Sequence, residues 1–313
     1  MYAVFNIALP FFALIATGYA AGRSSLLPVP AIQGLNAFVF YFALPALLLV
    51  KVSESSIGAL LDPKVVAAYY GPSLLLFFGV FLLGRWLAPA SVSVQALRSL
   101  AATFANVGFV GLPLAIMAFG DAAALPAVMV VVVDTVVMIG LTVGIVEADQ
   151  GRGGSALRVV RIVFGGLIRN PLIIASFLGL IMAALSWRLP GPVNSYANLL
   201  GNAAGPCALF ALGATLARRP LTQGMNEALT ISAASLLLHP LLVWFAASQV
   251  FQLSPLFVAV LTVQAALPVA ANVYVLAQRY DVRPAQASTN ILVSTAIAII
   301  TLSAVLSWFH GNA

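Results

Sequence analysis

Asp134 stands in Met129-Val-Val-Val-Val-Asp134-Thr-Val-Val-Met138, the only carboxylate well inside an apolar run of this chain. Burying it ionised in lipid costs at least ~3 kcal/mol even on the lenient insertion scale. No Lys or Arg lies inside an apolar run to pair with it. The carboxyl must be protonated, hold a cation or face water, and each of these suits ion or proton coupling. A plainer role is as a fastener, bonded to an amide such as Asn290. His239, in Leu236-Leu-Leu-His239-Pro240, is the other titratable group in such a run. It either relays protons or fills the gap left by the N–H that Pro240 lacks.

A second group of polar residues gathers around two prolines. Ser99 to Gly120 contains Asn106-Val-Gly-Phe-Val-Gly111-Leu-Pro113, and Pro255 to Arg279 contains Gln264-Ala-Ala-Leu-Pro268-Val-Ala-Ala-Asn272. Proline removes a backbone donor and crowds the preceding turn, so each stretch is expected to be a broken helix. Freed amides and carbonyls survive at membrane depth only when buried in protein or facing a wet cavity. The new half-helix N-termini carry partial positive charge, which favours an anion. Asn106, Gln264 and Asn272 add donors and acceptors without net charge. Matching broken helices in two halves of a membrane chain point to a substrate site at mid-depth, the signature of a transporter; alternatively the prolines only kink the helices.

These residues need a membrane frame. Only 7% of the 313 residues are charged, 62% are hydrophobic, and mean hydropathy is +1.08, where a soluble chain carries about 25% charged residues. The net charge of +6 sits between apolar blocks, so no basic stripe exists for nucleic acid. The single cysteine, Cys207, has no intrachain disulfide partner. The N-terminus has no basic region and no A-x-A-like cleavage site before Arg23, which predicts a retained first helix. A spanning helix needs about 20 apolar residues. Ten candidates follow: 2–22, 33–50, 65–84, 99–120, 125–146, 171–187, 196–217, 228–250, 255–278 and 286–309. Asn170-Pro171 reads as an N-cap with proline at the first helical position, and Arg218-Arg219-Pro220 closes span seven. Gly151 to Arg169, with four arginines, reads as a basic surface arm.

With the N-terminus outside, inward loops hold eleven Lys and Arg and outward loops three, Lys51, Lys64 and Arg188, which places both termini outside. Pro45 and Pro206 are 161 apart, Pro113 and Pro268 155, Asp134 and Asn290 156. That near-constant offset predicts an all-α membrane protein of two five-helix repeats, residues 1–150 and 171–313, joined by a cytoplasmic basic linker at 151–170. Five is odd, so the second repeat is inverted, a common construction in secondary transporters. Asn36 with Pro45 and Asn202 with Pro206 form a further pair suited to packing. Gly18/Gly22 and Gly201/Gly205 allow close helix approach, including self-association. Nothing in the sequence provides H-E-x-x-H, Cys-x-x-Cys, G-x-S-x-G or a P-loop. No enzyme, cofactor or metal site is expected.

At these residues the chain resembles the auxin efflux carrier family, with its bacterial malonate or malate permease-like members. The likeness lies in Asn106-x6-Pro113 with Gly111-Leu-Pro113, in Gln264-Ala-Ala-Leu-Pro268, and in Ala277-x2-Tyr280 followed by Ser288-Thr289. It implies the ten-helix inverted-repeat fold of bile-acid sodium symporters, with spans four and nine crossing to hold the carboxylate of an organic anion. It also implies an elevator movement of spans 3–5 and 8–10 against a scaffold, often dimeric, of spans 1, 2, 6 and 7. Asn106, Pro113 and Pro268 carry over as crossover residues. Plant members have Gln-Gly-Ile-Val-Pro where Val269 to Val273 stand here, and the long plant loop is missing, so a small bacterial carboxylate fits better than auxin. The reading is a proton-linked organic anion carrier of a bacterial inner membrane. A sodium-coupled symporter and a non-transporting receptor or assembly subunit are the alternatives.

Overall fold

The computed structural model describes residues 2–24, 26–54, 62–151, 160–161, 164–165, 168–218 and 224–311. The basic arm expected at 151–169 lies largely outside them, as do Arg219 and Pro220. Among the described residues the chain is all helix: α1 (Tyr2–Arg23), α2 (Val29–Ser53), α3 (Pro63–Leu87), α4 (Val92–Thr103), α5 (Val107–Phe119), α6 (Asp121–Asp149), α7 (Pro171–Ala184), α8 (Gly191–Ala217), α9 (Met225–Val250), α10 (Pro255–Ala265), α11 (Ala271–Arg279) and α12 (Pro284–Gly311). Six of these, α2, α3, α6, α8, α9 and α12, are long and apolar enough to cross a membrane, and α5, α7 and α10 are shorter apolar helices. Large side chains such as Trp86, Leu87, Leu199 and Ile300 are exposed, as lipid-facing surface requires.

Helix ends follow local chemistry. Asn170 Oδ1 accepts from the Leu172 amide at 2.9 Å and Asp62 Oδ1 from the Lys64 amide at 2.9 Å, each ahead of a proline at the first helical position. The fourth apolar stretch begins at Val92 rather than 99, because its polar residues are consumed. Gln95 Nε2 donates to the Gly84 and Ala88 carbonyls, both at 2.9 Å, closing α3, and Arg98 pairs with Glu227 at 2.6 Å.

Prolines within helices have a consistent effect. Pro45, Pro113 and Pro240 each follow a five-residue π turn, at Val39–Ala43, Val107–Gly111 and Ala234–Leu238. A proline ring collides with the carbonyl four residues earlier; here those residues are Tyr41, Phe109 and Leu236, each inside the widened turn. The Leu44, Leu112 and His239 amides accordingly reach back five residues. The π turns at Thr135–Ile139 and Ala246–Val250 have no such proline, and nothing in the structure explains them.

Glycines fix the closest helix pairs. A Cβ on Gly18 would strike the Phe210 carbonyl and one on Gly22 the Ala214 carbonyl, so α1 lies directly on α8. Gly201 meets Leu47 of α2. Those small-residue motifs are therefore occupied within the chain rather than left for self-association. Asn36 Nδ2 adds a bond to Thr215 Oγ1 at 3.1 Å. The packing falls into two groups. Helices α1, α2, α7 and α8 pack on one another, and α3 to α6 pack with α9 to α12.

Candidate functional site

The two interrupted stretches meet. Between α4 and α5 the chain unwinds at Phe104–Asn106, and between α10 and α11 at Ala266–Ala270. Ala105 and Val269 form an antiparallel bridge. The Asn106 amide donates to the Pro268 carbonyl at 2.9 Å, and the Ala270 amide donates to the Phe104 carbonyl at 3.1 Å. The pattern has local two-fold symmetry, pairing residues 164 positions apart, and the second half-helices begin at the paired positions Val107 and Ala271. Each break thus supplies the partners that the other lost. At this one place two helix N-termini, α5 and α11, adjoin two helix C-termini, α4 and α10.

This geometry corrects one sequence expectation. Pro268 lies inside its break, but Pro113 does not. The first break falls seven to nine residues before Pro113, which only widens the turn ahead of itself. Unwinding at Phe104–Asn106 is held by pairing with the second segment, not by proline chemistry. Pro113 and Pro268 are therefore not equivalent positions, and the 155 offset between them does not register the two breaks.

The remaining site candidates fall in three places. Asn106 is buried at the start of α5, and its carbonyl accepts from the Val110 amide at 3.1 Å and the Gly111 amide at 3.0 Å. Gly111 lies against Gln264 Oε1, so closely that no Cβ fits there. Gln264 is fully buried, and neither its Oε1 nor its Nε2 has a hydrogen-bond partner. Leaving such a group unpaired costs about 1–3 kcal/mol, so a ligand that bonds it recovers that cost. Pro113 is buried against Gly205 of α8. Asn272, in the first turn of α11, is exposed.

Asp134 forms the second place. It is fully buried, both carboxylate oxygens lack partners, and its electrostatic neighbours are Tyr69 and Tyr70 of α3. The Tyr70 hydroxyl donates to the Val130 carbonyl at 2.8 Å. His239, also fully buried, meets Ser73 Oγ through Nε2 at 2.8 Å and Tyr69 edge-on with ring centroids 5.6 Å apart. The third place holds Asn290, whose Oδ1 accepts from Gln286 Nε2 at 2.9 Å beside a small cavity lined by Arg98, Glu227 and Arg283. Asn290 is therefore not the amide that fastens Asp134.

Sequence reasoning missed several partners. Ser294 Oγ of α12 accepts from the Val269 amide at 3.1 Å and steadies the second break. Tyr69, Tyr70 and Ser73 line the Asp134–His239 region. Hydroxyls in apolar helices usually bond their own backbone, as Thr142 and Ser176 do here, so the sequence carries no signal separating these.

Comparison with known proteins decides the class. A family model described as membrane transport protein covers residues 3–306. The chain is 33% identical to a Rhizobium meliloti (strain 1021) protein named "Putative malonate transporter", over 100% of this chain and 98% of that one. It is also 34% identical over 151 residues to auxin efflux carrier component 3a of Oryza sativa subsp. japonica, a match covering 46% of this chain and 24% of the plant protein. The chain belongs to the auxin efflux carrier family of membrane transport proteins. A Methanocaldococcus jannaschii relative, named an uncharacterized transporter, is 23% identical over 98% of this chain and 99% of its own length. As a member of the auxin efflux carrier family the protein is a multi-pass membrane transporter, not an enzyme.

Proposed function

We propose that this transporter carries a small carboxylate, of the malonate class, at the crossing of α4–α5 with α10–α11. The observation that carries this reading is the reciprocal hydrogen bonding of the two breaks, which sets two helix N-termini side by side. Amides at a helix N-terminus have no intrahelical partner and attract negative charge. Asn106 and Asn272 flank those ends, and the unpartnered Gln264 carboxamide lies behind Gly111. The name of the full-length Rhizobium relative supports malonate as the first substrate to try.

In this reading the ten spans form two inverted five-helix repeats, each with one crossover helix. Helices α1, α2, α7 and α8 are the scaffold, which also forms a homodimer, and the remaining helices move against it as an elevator. The two packing groups support that division. Both termini face outward from a bacterial inner membrane, as the eleven-to-three charge distribution favours. Asp134 takes up a proton during the cycle, because a fully buried carboxylate without partners is costly as an anion.

The test is uptake of radiolabelled malonate into proteoliposomes. Asn106→Ala is expected to weaken affinity sharply while the protein still folds; unchanged affinity and rate remove Asn106 from the site. Uptake that follows a sodium gradient and ignores pH would assign coupling to the bile-acid type instead.

A further inference from the structure

The long helices α3 and α9 touch at mid-length and separate towards the end of α3. The contact lies where Ser73 Oγ is 2.8 Å from His239 Nε2 and the Tyr69 ring meets the same imidazole edge-on. Further along α3, a Cβ built on Gly79 would meet nothing within 4 Å. The groove left between the two helices measures about 720 Å³. Leu75, Gly79 and Leu83 of α3 form one wall, and Ile231, Leu238 and Leu242 of α9 the other. Both helices are long and apolar enough to cross a membrane, and Leu75, Leu83 and Leu238 are exposed.

The polar lining gathers at one end of this groove. There α4 closes the floor with Gln95 and Arg98, and α9 adds Asn226, Glu227 and Thr230. Arg98 donates through Nη1 to the Ala88 carbonyl at 2.9 Å and through Nη2 to Glu227 at 2.6 Å. Its Nε has no acceptor among the described residues. Arg283 Nη1 reaches the same Glu227 at 3.6 Å, and Arg85 stands in the last turn of α3. Three arginines around one carboxylate leave this end positive, and a guanidinium bonds phosphate oxygens well.

We propose that this groove binds one phospholipid, its phosphate at Arg98 and an acyl chain laid between α3 and α9. The dimensions select that occupant. From Leu75 to Ala88 the wall runs about 20 Å at 1.5 Å per residue. One leaflet with its headgroup layer is roughly 20–22 Å deep. The groove therefore reaches from the membrane surface to mid-depth, with its charge at the surface end. Its volume spread over that length gives a mean section of about 35 Å². A helix is about 10–12 Å across, some three times that section, so a helix of a second copy does not enter, whereas extended hydrocarbon does. A lipid seated there fills the wedge between α3, α9 and α4 and joins the three. The site needs neither the substrate nor the coupling assigned above.

Native mass spectrometry of the full-length protein, titrated in detergent with phosphatidylglycerol, tests the site. The unaltered chain is expected to hold one lipid, and diacylglycerol, with the same chains and no phosphate, is expected to bind at least tenfold more weakly. Two substitutions on α3 separate the groove from the rest of that helix. Gly79 and Gly71 both have open space around an added Cβ, but only Gly79 lines the groove. Gly79→Leu should abolish the one-lipid complex and Gly71→Leu should keep it. Arg98→Gln should lower phosphatidylglycerol affinity about tenfold and leave that for diacylglycerol unchanged. Equal binding of the two lipids, or Gly79→Leu protein that holds its lipid as its parent does, overturns the proposal. So does Gly79→Leu protein that keeps its lipid and changes oligomeric state, because a second copy of the chain then covers the groove.

Discussion

Two neighbouring proline substitutions separate what holds the crossing together from what it binds. Ala270 has φ −70° and ψ 145°, already within proline's range, and Val269 before it is extended in the bridge, as proline requires. Ala270→Pro therefore fits the local backbone; it removes one N–H and sets the ring carbons against the Phe104 carbonyl at a site 4% exposed. The lost bond is the 3.1 Å donation to the Phe104 carbonyl, in a residue 3% exposed. A buried carbonyl so orphaned costs about 1–3 kcal/mol. Ala271→Pro, one residue on, takes the first helical position, where proline is tolerated and the N–H is unpaired anyway. It should leave stability nearly unchanged but remove an amide offered to the substrate. A hydrogen bond to a charged group contributes about 1.5–3 kcal/mol, so malonate affinity should fall roughly ten- to hundredfold. Equilibrium unfolding in detergent and malonate binding, measured on both variants, give the contrast. An Ala270→Pro protein as stable as its parent would refute the pairing as a structural tie. Ala271→Pro with undiminished affinity would refute the helix terminus as an anion site.

Asp134→Asn keeps the side-chain volume and removes the charge; uptake should lose its dependence on the pH gradient, and a full dependence would exclude Asp134 from coupling. Gly213→Ala places a methyl group on the Ile15 carbonyl and 2.8 Å from the Tyr19 amide, both backbone atoms, so unfolding in detergent should show a loss of about 1–3 kcal/mol or more. Gly34→Ala, with nothing within 4 Å of the new carbon, should instead gain up to about 1 kcal/mol in the same assay. In a chain with Cys207 replaced, a single cysteine at Ser186 should react with impermeant thiol reagent from outside intact cells and one at Ser91 only after permeabilisation; the reverse pattern would invert the orientation.

The helical frame was legible because apolar run length is a strong signal, and the ends at Asn170 and Asp62 follow capping chemistry readable from residue type alone. Polar residues inside the frame misled where the fold uses them up: Gln95 and Arg98 read as a loop and instead close α3 and bind Glu227. Proline identity was legible, its consequence was not. Pro45, Pro113 and Pro240 each widen a turn without unwinding it, whereas Phe104–Asn106 unwinds with no proline at hand because a second segment 164 residues away completes its bonds. No local property of that tripeptide encodes such a partner. Asp134 and His239 stood out by burial cost, but their surroundings, Tyr69, Tyr70 and Ser73, come from α3 and are silent in sequence because hydroxyls in apolar helices are ordinary.

An experimental density map of the protein with malonate bound is the most direct check. It should show both segments unwound, at 104–106 and 266–270, paired to each other, with a carboxylate against Asn106 and the first amides of α11. Continuous helical density through either segment, or malonate seated away from the pairing, would contradict it.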